Sequence, residues 1–252
     1  MEKVELFSLV VPAYRQQRTI VKNIKSLKKS LTDLSIPFEI IVVVDGKTDK
    51  TFENANKLRN RQIRVLGYQE NKGKGNAIKY GVEKANGDVI GFIDAGMEID
   101  PTGILMLLNH MIWYDADIIV GSKLHPVSQV KYPLWRKIIS WGYRSLTKLL
   151  FGFKVRDTQV GIKLFKKEVA KKVFPLLLVK RFAFDVEILA AAYSIGYTKI
   201  YEAPVKLIFN PRNSSIKSFG MWKTIFLMLQ DTFAIFYRVK IKNYYKMKLR
   251  NR

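Results

Sequence analysis

Three carboxylates, Asp94, Glu98 and Asp100, follow directly on an apolar run, Val89–Ile93. Such a run reads as a buried strand. Carboxylates at the C-terminal end of a buried strand stand where open α/β sheets bind ligands. Hard oxygen donors there suit a divalent cation carrying a diphosphate. Just upstream, Asn71–Ala77 (NKGKGNA) is a glycine-lysine loop that opens a short helix. It is no P-loop, because the spacing to a Lys-Ser/Thr pair is wrong. Nor is it a dinucleotide fingerprint, because Ile78 holds the place of the third glycine and the loop follows the third strand, not the first. Two earlier apolar runs also end in polar residues: VPAY (Val11–Tyr14) and VVVDGKTD (Val42–Asp49). The Asp45-Gly46 step of the second would let a carboxylate meet a base or ribose at the same rim.

Other chemistries find few residues to work with. The chain of 252 residues has no cysteine, hence no disulfide and no thiolate metal site, which fits a reducing compartment. Its two histidines, His110 and His125, argue against a histidine metal site or a Ser-His-Asp triad. His110 lies in an apolar helical run and reads as a packing residue.

The net charge of +23 is unevenly placed. Residues 1–117 hold 17 Lys/Arg and 15 Asp/Glu; residues 118–252 hold 27 and 6. A half so basic implies a polyanionic partner: a phosphate-bearing substrate, an anionic membrane surface or nucleic acid. The basic residues lie on amphipathic helices with wide apolar faces, not on a recognisable nucleic-acid module, so no nucleic-acid partner is expected.

The elements that must position these residues alternate. Strands are predicted at Leu6–Val11, Phe38–Val44, Ile63–Tyr68, Val89–Ile93 and Ile118–Gly121, with helices at Gln17–Asp33, Thr51–Asn60 and Gly75–Ala85. That order implies a parallel, doubly wound sheet in one domain. Two later segments are amphipathic at 100° per residue. In Tyr132–Phe151, Trp135, Ile138, Ile139, Tyr143, Leu146, Leu149 and Leu150 share one arc, opposite Arg136, Lys137, Arg144 and Lys148. In Phe219–Val239, Trp222, Ile225, Phe226, Leu229, Phe233 and Phe236 share a wide apolar face. Basic flanks and aromatic residues on such helices suit a membrane interface, and packing on the sheet is the alternative for both. The longest charge-free run, Pro101–Tyr114, has 14 residues, short of the ~20 that span a bilayer. The first residues, MEKVELFSLV, lack a signal-peptide pattern. A cytoplasmic protein peripherally associated with the membrane is expected.

In this order and spacing the motifs resemble family 2 glycosyltransferases of the A-type, nucleotide-sugar-binding fold. Within that family the chain is similar to the dolichyl- or polyprenyl-phosphate glucosyl- and mannosyltransferases. RDTQVGIKLF (Arg156–Phe165) and RFAFDVEILAAAYSIGYTKIYEAPV (Arg181–Val205) match their acceptor half. The resemblance covers about residues 5–240. It implies an α/β, Rossmann-like fold with a mostly parallel sheet and amphipathic interfacial helices. Residues 1–215 would form the catalytic domain, with 1–117 the donor half and 118–215 the acceptor half including the helix over 132–151. Residues 216–252 would add an amphipathic helix and a basic tail. The implied activity is an inverting transfer of glucose or mannose from UDP-glucose or GDP-mannose to a polyprenyl phosphate, with Mg2+ or Mn2+ as cofactor.

The resemblance also assigns residues. Pro12, Ala13, Tyr14, Gln16, Asp45, Lys74, Asp94 and Ala95 fall to the nucleotide-sugar, with Asp45 on the nucleobase. Asp94, Asp157 and Gln159 fall to catalysis, and the Asp157-Thr158-Gln159 segment lies beneath the transferred sugar. Lys123, Arg136, Ser140, Arg212 and Lys217 fall to the acceptor phosphate. Asp94 and Glu98 fall to the metal. Asp185 and Glu187 either orient the sugar and shape the acceptor site or belong to a buried network. Three departures stand out. The family's Asp-x-Asp reads Asp94-Ala95-Gly96, Gln16 replaces the usual Glu, and Val44 and Lys47 replace the usual Asp and Ser. A family 2 enzyme with a soluble or different lipid acceptor is the second reading, and a non-catalytic polyanion-binding protein a distant third.

Overall fold

The computed structural model describes residues 4–33, 36–128, 134–180, 183–207 and 221–251, with only the backbone for 134–138 and 221–222. Seven strands form one sheet: β1 (Phe7–Ala13), β2 (Phe38–Asp45), β3 (Ile63–Tyr68), β4 (Val89–Ile93), β5 (Ile118–Ser122), β6 (Ile162–Lys166) and β7 (Ile200–Pro204). Their spatial order is β3-β2-β1-β4-β6-β5-β7. All pairings are parallel except those of β6, which runs antiparallel to β4 and β5.

Every residue of β1 and β2 is buried, as expected of parallel strands covered on both faces. Alternate side chains feed two cores. Leu9, Val11, Ile40 and Val42 pack under α1 (Ile20–Thr32) and α4 (Ile104–Trp113). Val10, Ile41, Val43 and Phe92 pack under α3 (Lys74–Lys84), α6 (Lys167–Val173) and α7 (Phe184–Ser194). The predicted first strand runs two residues further, through Pro12. Its ladder to β4 stops at Val10, leaving Pro12 paired on one side only, where sheets tolerate proline.

The remaining helices are the short α2 (Thr51–Asn56), α5 (Leu134–Phe151), α8 (Met221–Phe236), a π-turn over Tyr237–Ile241 and α9 (Tyr244–Arg250). The face predicted for α5 is divided. Tyr143 is buried and shares a 2.7 Å hydrogen bond with Thr232 of α8, whereas Leu149 is 82% exposed. α9 is tied to the core: Tyr245 is fully buried, and its hydroxyl donates to Glu187 at 2.7 Å. No helix among the described residues is long and apolar enough to cross a membrane.

Candidate active site

The topology brings the chemistry to one rim. β1, β2 and β4 end there, as do β5 and β7. Because β6 runs the other way, the segment leading into it reaches the same rim, where Ile162 pairs with Ile93. The strand ends surround a cleft of about 730 Å³. Pro12, Ala13, Tyr14, Gln16, Asp45, Lys74, Asp94, Ala95 and Glu98 line it, together with Lys123 and Gln159. Asn71, Gly161 and Asp185 complete the wall. Asp100 turns away and caps the turn at Pro101–Gly103, accepting from the Thr102 N–H at 3.0 Å.

Asp45 builds the glycine-lysine loop. Its Oδ1 accepts from the Tyr68 hydroxyl and the Lys72 N–H, both at 2.8 Å. Its Oδ2 accepts from Asn71 Nδ2 at 3.0 Å and the Gly73 N–H at 2.9 Å. A carboxylate has about four acceptor positions, so a nucleobase contact at Asp45 requires one of these donors to be exchanged. Gly46 is at φ +90°, and a Cβ there would come within 2.8 Å of the Asn71 nitrogen. Only glycine lets the two segments close so tightly.

The loop delivers Lys74 to Asp94. Its Nζ lies 2.7 Å from Asp94 Oδ1 and 3.8 Å from Asp185 Oδ2. Behind Asp185, at 2.5 Å, stands Lys163, a lysine of β6 with no exposed side-chain surface. Its ammonium also donates to the Val160 carbonyl at 2.9 Å. Four groups thus alternate in sign: Asp94, Lys74, Asp185, Lys163. Burial pulls the Lys163 ammonium below the ordinary lysine range, with Asp185 opposing it. Burial would raise the Asp185 carboxyl, but Lys163 and Lys74 outweigh it and hold the group low. For Lys74 burial works downward, and Asp94 and Asp185 more than reverse it, so the lysine stays charged.

The metal expected at Asp94 and Glu98 can be tested against these neighbours. Both carboxylates face the cleft. Gly161 leaves Asp94 its space, since a Cβ at 161 would lie 2.2 Å from Asp94 Oδ2. Gly96, where the family carries a second carboxylate, has open space around it. No group of three metal-binding side chains occurs among the described residues. Two carboxylates completed by diphosphate oxygens and water fit a Mg2+ or Mn2+ that arrives with its ligand.

Asp157 is buried and does not line the cleft. Its Oδ2 accepts the Lys123 N–H at 3.1 Å, and Glu202 of β7 accepts its backbone N–H at 2.8 Å. The Lys123 ammonium lies 4.0 Å from the same carboxylate. Thr158 is buried with its hydroxyl unpartnered among the described residues. Gln159 reaches from the cleft to Met228 of α8, 3.3 Å from its sulfur. Ser140 lies exposed on α5, outside the cleft wall. The side chain of Arg136, and Arg212 and Lys217 entirely, lie outside the described residues. The FDVEI pair separates. Asp185 lines the cleft, whereas Glu187 is fully buried and accepts from Leu178 N, Val179 N, Arg238 and Tyr245.

With this geometry in hand, known proteins can be set beside it. The family model described as glycosyl transferase family 2 matches residues 8–174. The chain belongs to that family. Its relatives include the dolichyl-phosphate beta-glucosyltransferase of Dictyostelium discoideum, 33% identical over 204 residues, 75% of this chain and 62% of the relative. The human dolichyl-phosphate beta-glucosyltransferase is 32% identical over 203 residues, 73% of this chain and 62% of its own length. The Trichomonas vaginalis dolichyl-phosphate beta-glucosyltransferase ALG5A is 34% identical over 244 residues, 92% of this chain and 74% of that one. The chain thus spans less than two thirds of the first two relatives. Among solved structures it is similar to glucosyl-3-phosphoglycerate synthase from Mycobacterium tuberculosis in complex with Mn2+, UDP-glucose and phosphoglyceric acid. That likeness has a TM-score of 0.69 and 15% identity, covering 92% of this chain and 80% of that one, and speaks for the fold alone.

Proposed function

We propose that this family 2 chain is an inverting glucosyltransferase that moves glucose from UDP-glucose onto a dolichyl or other polyprenyl phosphate at the cytoplasmic face of a membrane. One observation carries the reading. The donor-side residues Pro12–Tyr14, Asp45, Lys74 and Asp94 and the acceptor-side residues Lys123 and Gln159 line one cleft. The similarity to dolichyl-phosphate beta-glucosyltransferases favours glucose over mannose.

In the proposed reaction an acceptor phosphate oxygen bonds to the sugar's anomeric carbon. The bond from that carbon to the diphosphate breaks, and the electron pair leaves with the nucleoside diphosphate. The acceptor is already ionised at neutral pH, so no strong general base is needed. Lys74 offers a positive charge to the leaving diphosphate. A divalent ion held by Asp94 and Glu98 would add Lewis-acid stabilisation of that same charge. Lys123 receives the acceptor phosphate.

A lipid acceptor also requires access to a bilayer. α5 exposes Trp141 and Leu149, and α8 exposes Phe226 and Phe233. Each basic residue near an anionic leaflet contributes about 1 kcal/mol, and Arg144 and Lys148 lie on α5 while Lys240 follows α8. The testing experiment is flotation of the purified chain with anionic liposomes, followed by transfer from radiolabelled UDP-glucose or GDP-mannose to polyprenyl phosphate. Flotation with label in the lipid fraction from UDP-glucose is expected. A chain that stays with the soluble fraction and glucosylates only water-soluble acceptors overturns the lipid reading.

A further inference from the structure

We propose that Lys74 is the built-in counter-ion of the metal site. It holds Asp94 while the cleft is empty and yields that carboxylate to a divalent ion only when a nucleoside diphosphate arrives. The inference rests on the donor-site reading above.

Lys74 Nζ lies 2.7 Å from Asp94 Oδ1, the buried oxygen of a side chain that is otherwise 43% exposed, so a metal would approach Oδ2 while the ammonium holds the other oxygen. An ammonium and a divalent ion on the two oxygens of one carboxylate repel each other at such separations. The motif offers little compensation. Its second carboxylate is missing although Gly96 has open space, so the absence is a chemical one, not a steric necessity. Glu98, the other ligand, is exposed at the cleft.

The lysine also has somewhere to go. Asp185 waits 3.8 Å away, on a flexible four-carbon stem's easy reach. Charge balance points the same way. Asp45, Asp94, Glu98 and Asp185 line the cleft with Lys74 and Lys123, and the buried Lys163 stands behind Asp185, leaving a single negative charge in excess. That is a poor site for a divalent ion. A diphosphate adds the missing negative charge and gives the Lys74 ammonium a second partner, so metal and donor load together.

The test is Mn2+ titration of the full chain, followed by electron paramagnetic resonance, with and without UDP. For the wild type, UDP should tighten Mn2+ binding by at least about tenfold. Lys74→Met and Lys74→Gln should bind Mn2+ without UDP about tenfold more tightly than the wild type does. The increment that UDP adds should shrink in both. Mn2+ binding that is unchanged or weaker in both variants without UDP overturns the inference while leaving the donor site standing. Should both variants fail to fold by circular dichroism, the wild type decides alone: equal Mn2+ affinity with and without UDP overturns the proposal. If UDP and Mn2+ do not bind together at all, the donor-site reading falls and this inference falls with it.

Discussion

Removing the charge of Asp185 should destabilise the protein far more than removing the whole ion pair. Lys163 has no exposed side-chain surface, and among the described residues Asp185, at 2.5 Å, is its ion-pair partner. In Asp185→Asn the ammonium keeps the Val160 carbonyl but loses its counter-charge. Stranding one member of a buried pair costs about 3–5 kcal/mol, a large part of the 5–15 kcal/mol that typically holds a domain together. For a chain of this size each kcal/mol moves the melting temperature by roughly 2–4 °C, so a drop on the order of 10 °C is expected. Lys163→Met should cost less, because Asp185 retains Lys74 at 3.8 Å. The double variant Lys163→Met/Asp185→Leu should recover most of the loss, since apolar replacement of a buried pair is often neutral. The Asp185→Asn deficit should also depend on pH. Without its carboxylate, Lys163 is held further below its unfolded value, so the unfolded chain binds more protons in the alkaline range. The variant therefore gains stability, relative to the wild type, as pH rises toward the ordinary lysine range. Urea and thermal unfolding followed by circular dichroism measure each of these. Single variants that lose under about 1 kcal/mol, or a double variant that loses the sum of both, would refute the reasoning.

Further outcomes follow from the same geometry. Gly96→Asp should raise Mn2+ affinity in the presence of UDP, because the position has open space and the family's second carboxylate belongs there; calorimetry showing no gain would remove Gly96 from the metal site. Tyr245→Phe should cost about 1–2 kcal/mol by deleting a buried hydrogen bond to a carboxylate, and limited proteolysis should then cut the C-terminal helices sooner; an unchanged digestion pattern speaks against their docking through Glu187. Asp115 is held well below the usual carboxylate range by hydrogen bonds from Lys166 and Lys199. Its contribution is present above the unfolded carboxylate value and is lost as pH falls through the folded one, so Asp115→Asn should be less stable than wild type at neutral pH and converge with it in acid; parallel urea curves at every pH would contradict that. Lys123→Ala should raise the Michaelis constant for the polyprenyl phosphate more than that for the donor, as steady-state kinetics with each substrate varied would show.

The rim was legible because its residues follow apolar, β-branched runs that read as buried strands, and Pro12, Asp45 and Asp94 stand at or just past the ends of three of them. β6 and β7 were hidden for a physical reason. A lysine in IKLFK and a glutamate in IYEAP break the apolar pattern, and only tertiary partners explain them: Asp185 for Lys163, and the backbone of Arg156 and Asp157 for Glu202. The contact of Lys74 with Asp94 was equally invisible, since it depends on Asp45 folding the loop with four hydrogen bonds. Glu187 gave no local sign of its role, because Arg238 and Tyr245 lie more than fifty residues along the chain. Periodicity marks one face of α5 as apolar, but it does not divide the part that meets α8 at Tyr143 from the part that faces outward at Leu149.

In the proposed reaction an anionic lipid acceptor meets a nucleotide-bound sugar at the Asp94 cleft. The most direct measurement is organic extraction of product after incubating the chain with radiolabelled UDP-glucose, Mn2+ and either polyprenyl phosphate or the matching polyprenol. Label in the organic phase with the phosphate, none with the alcohol, and loss of the phosphate-dependent label in Asp94→Asn is the expected result. Label that appears equally with the alcohol, or that survives intact in Asp94→Asn, would contradict it.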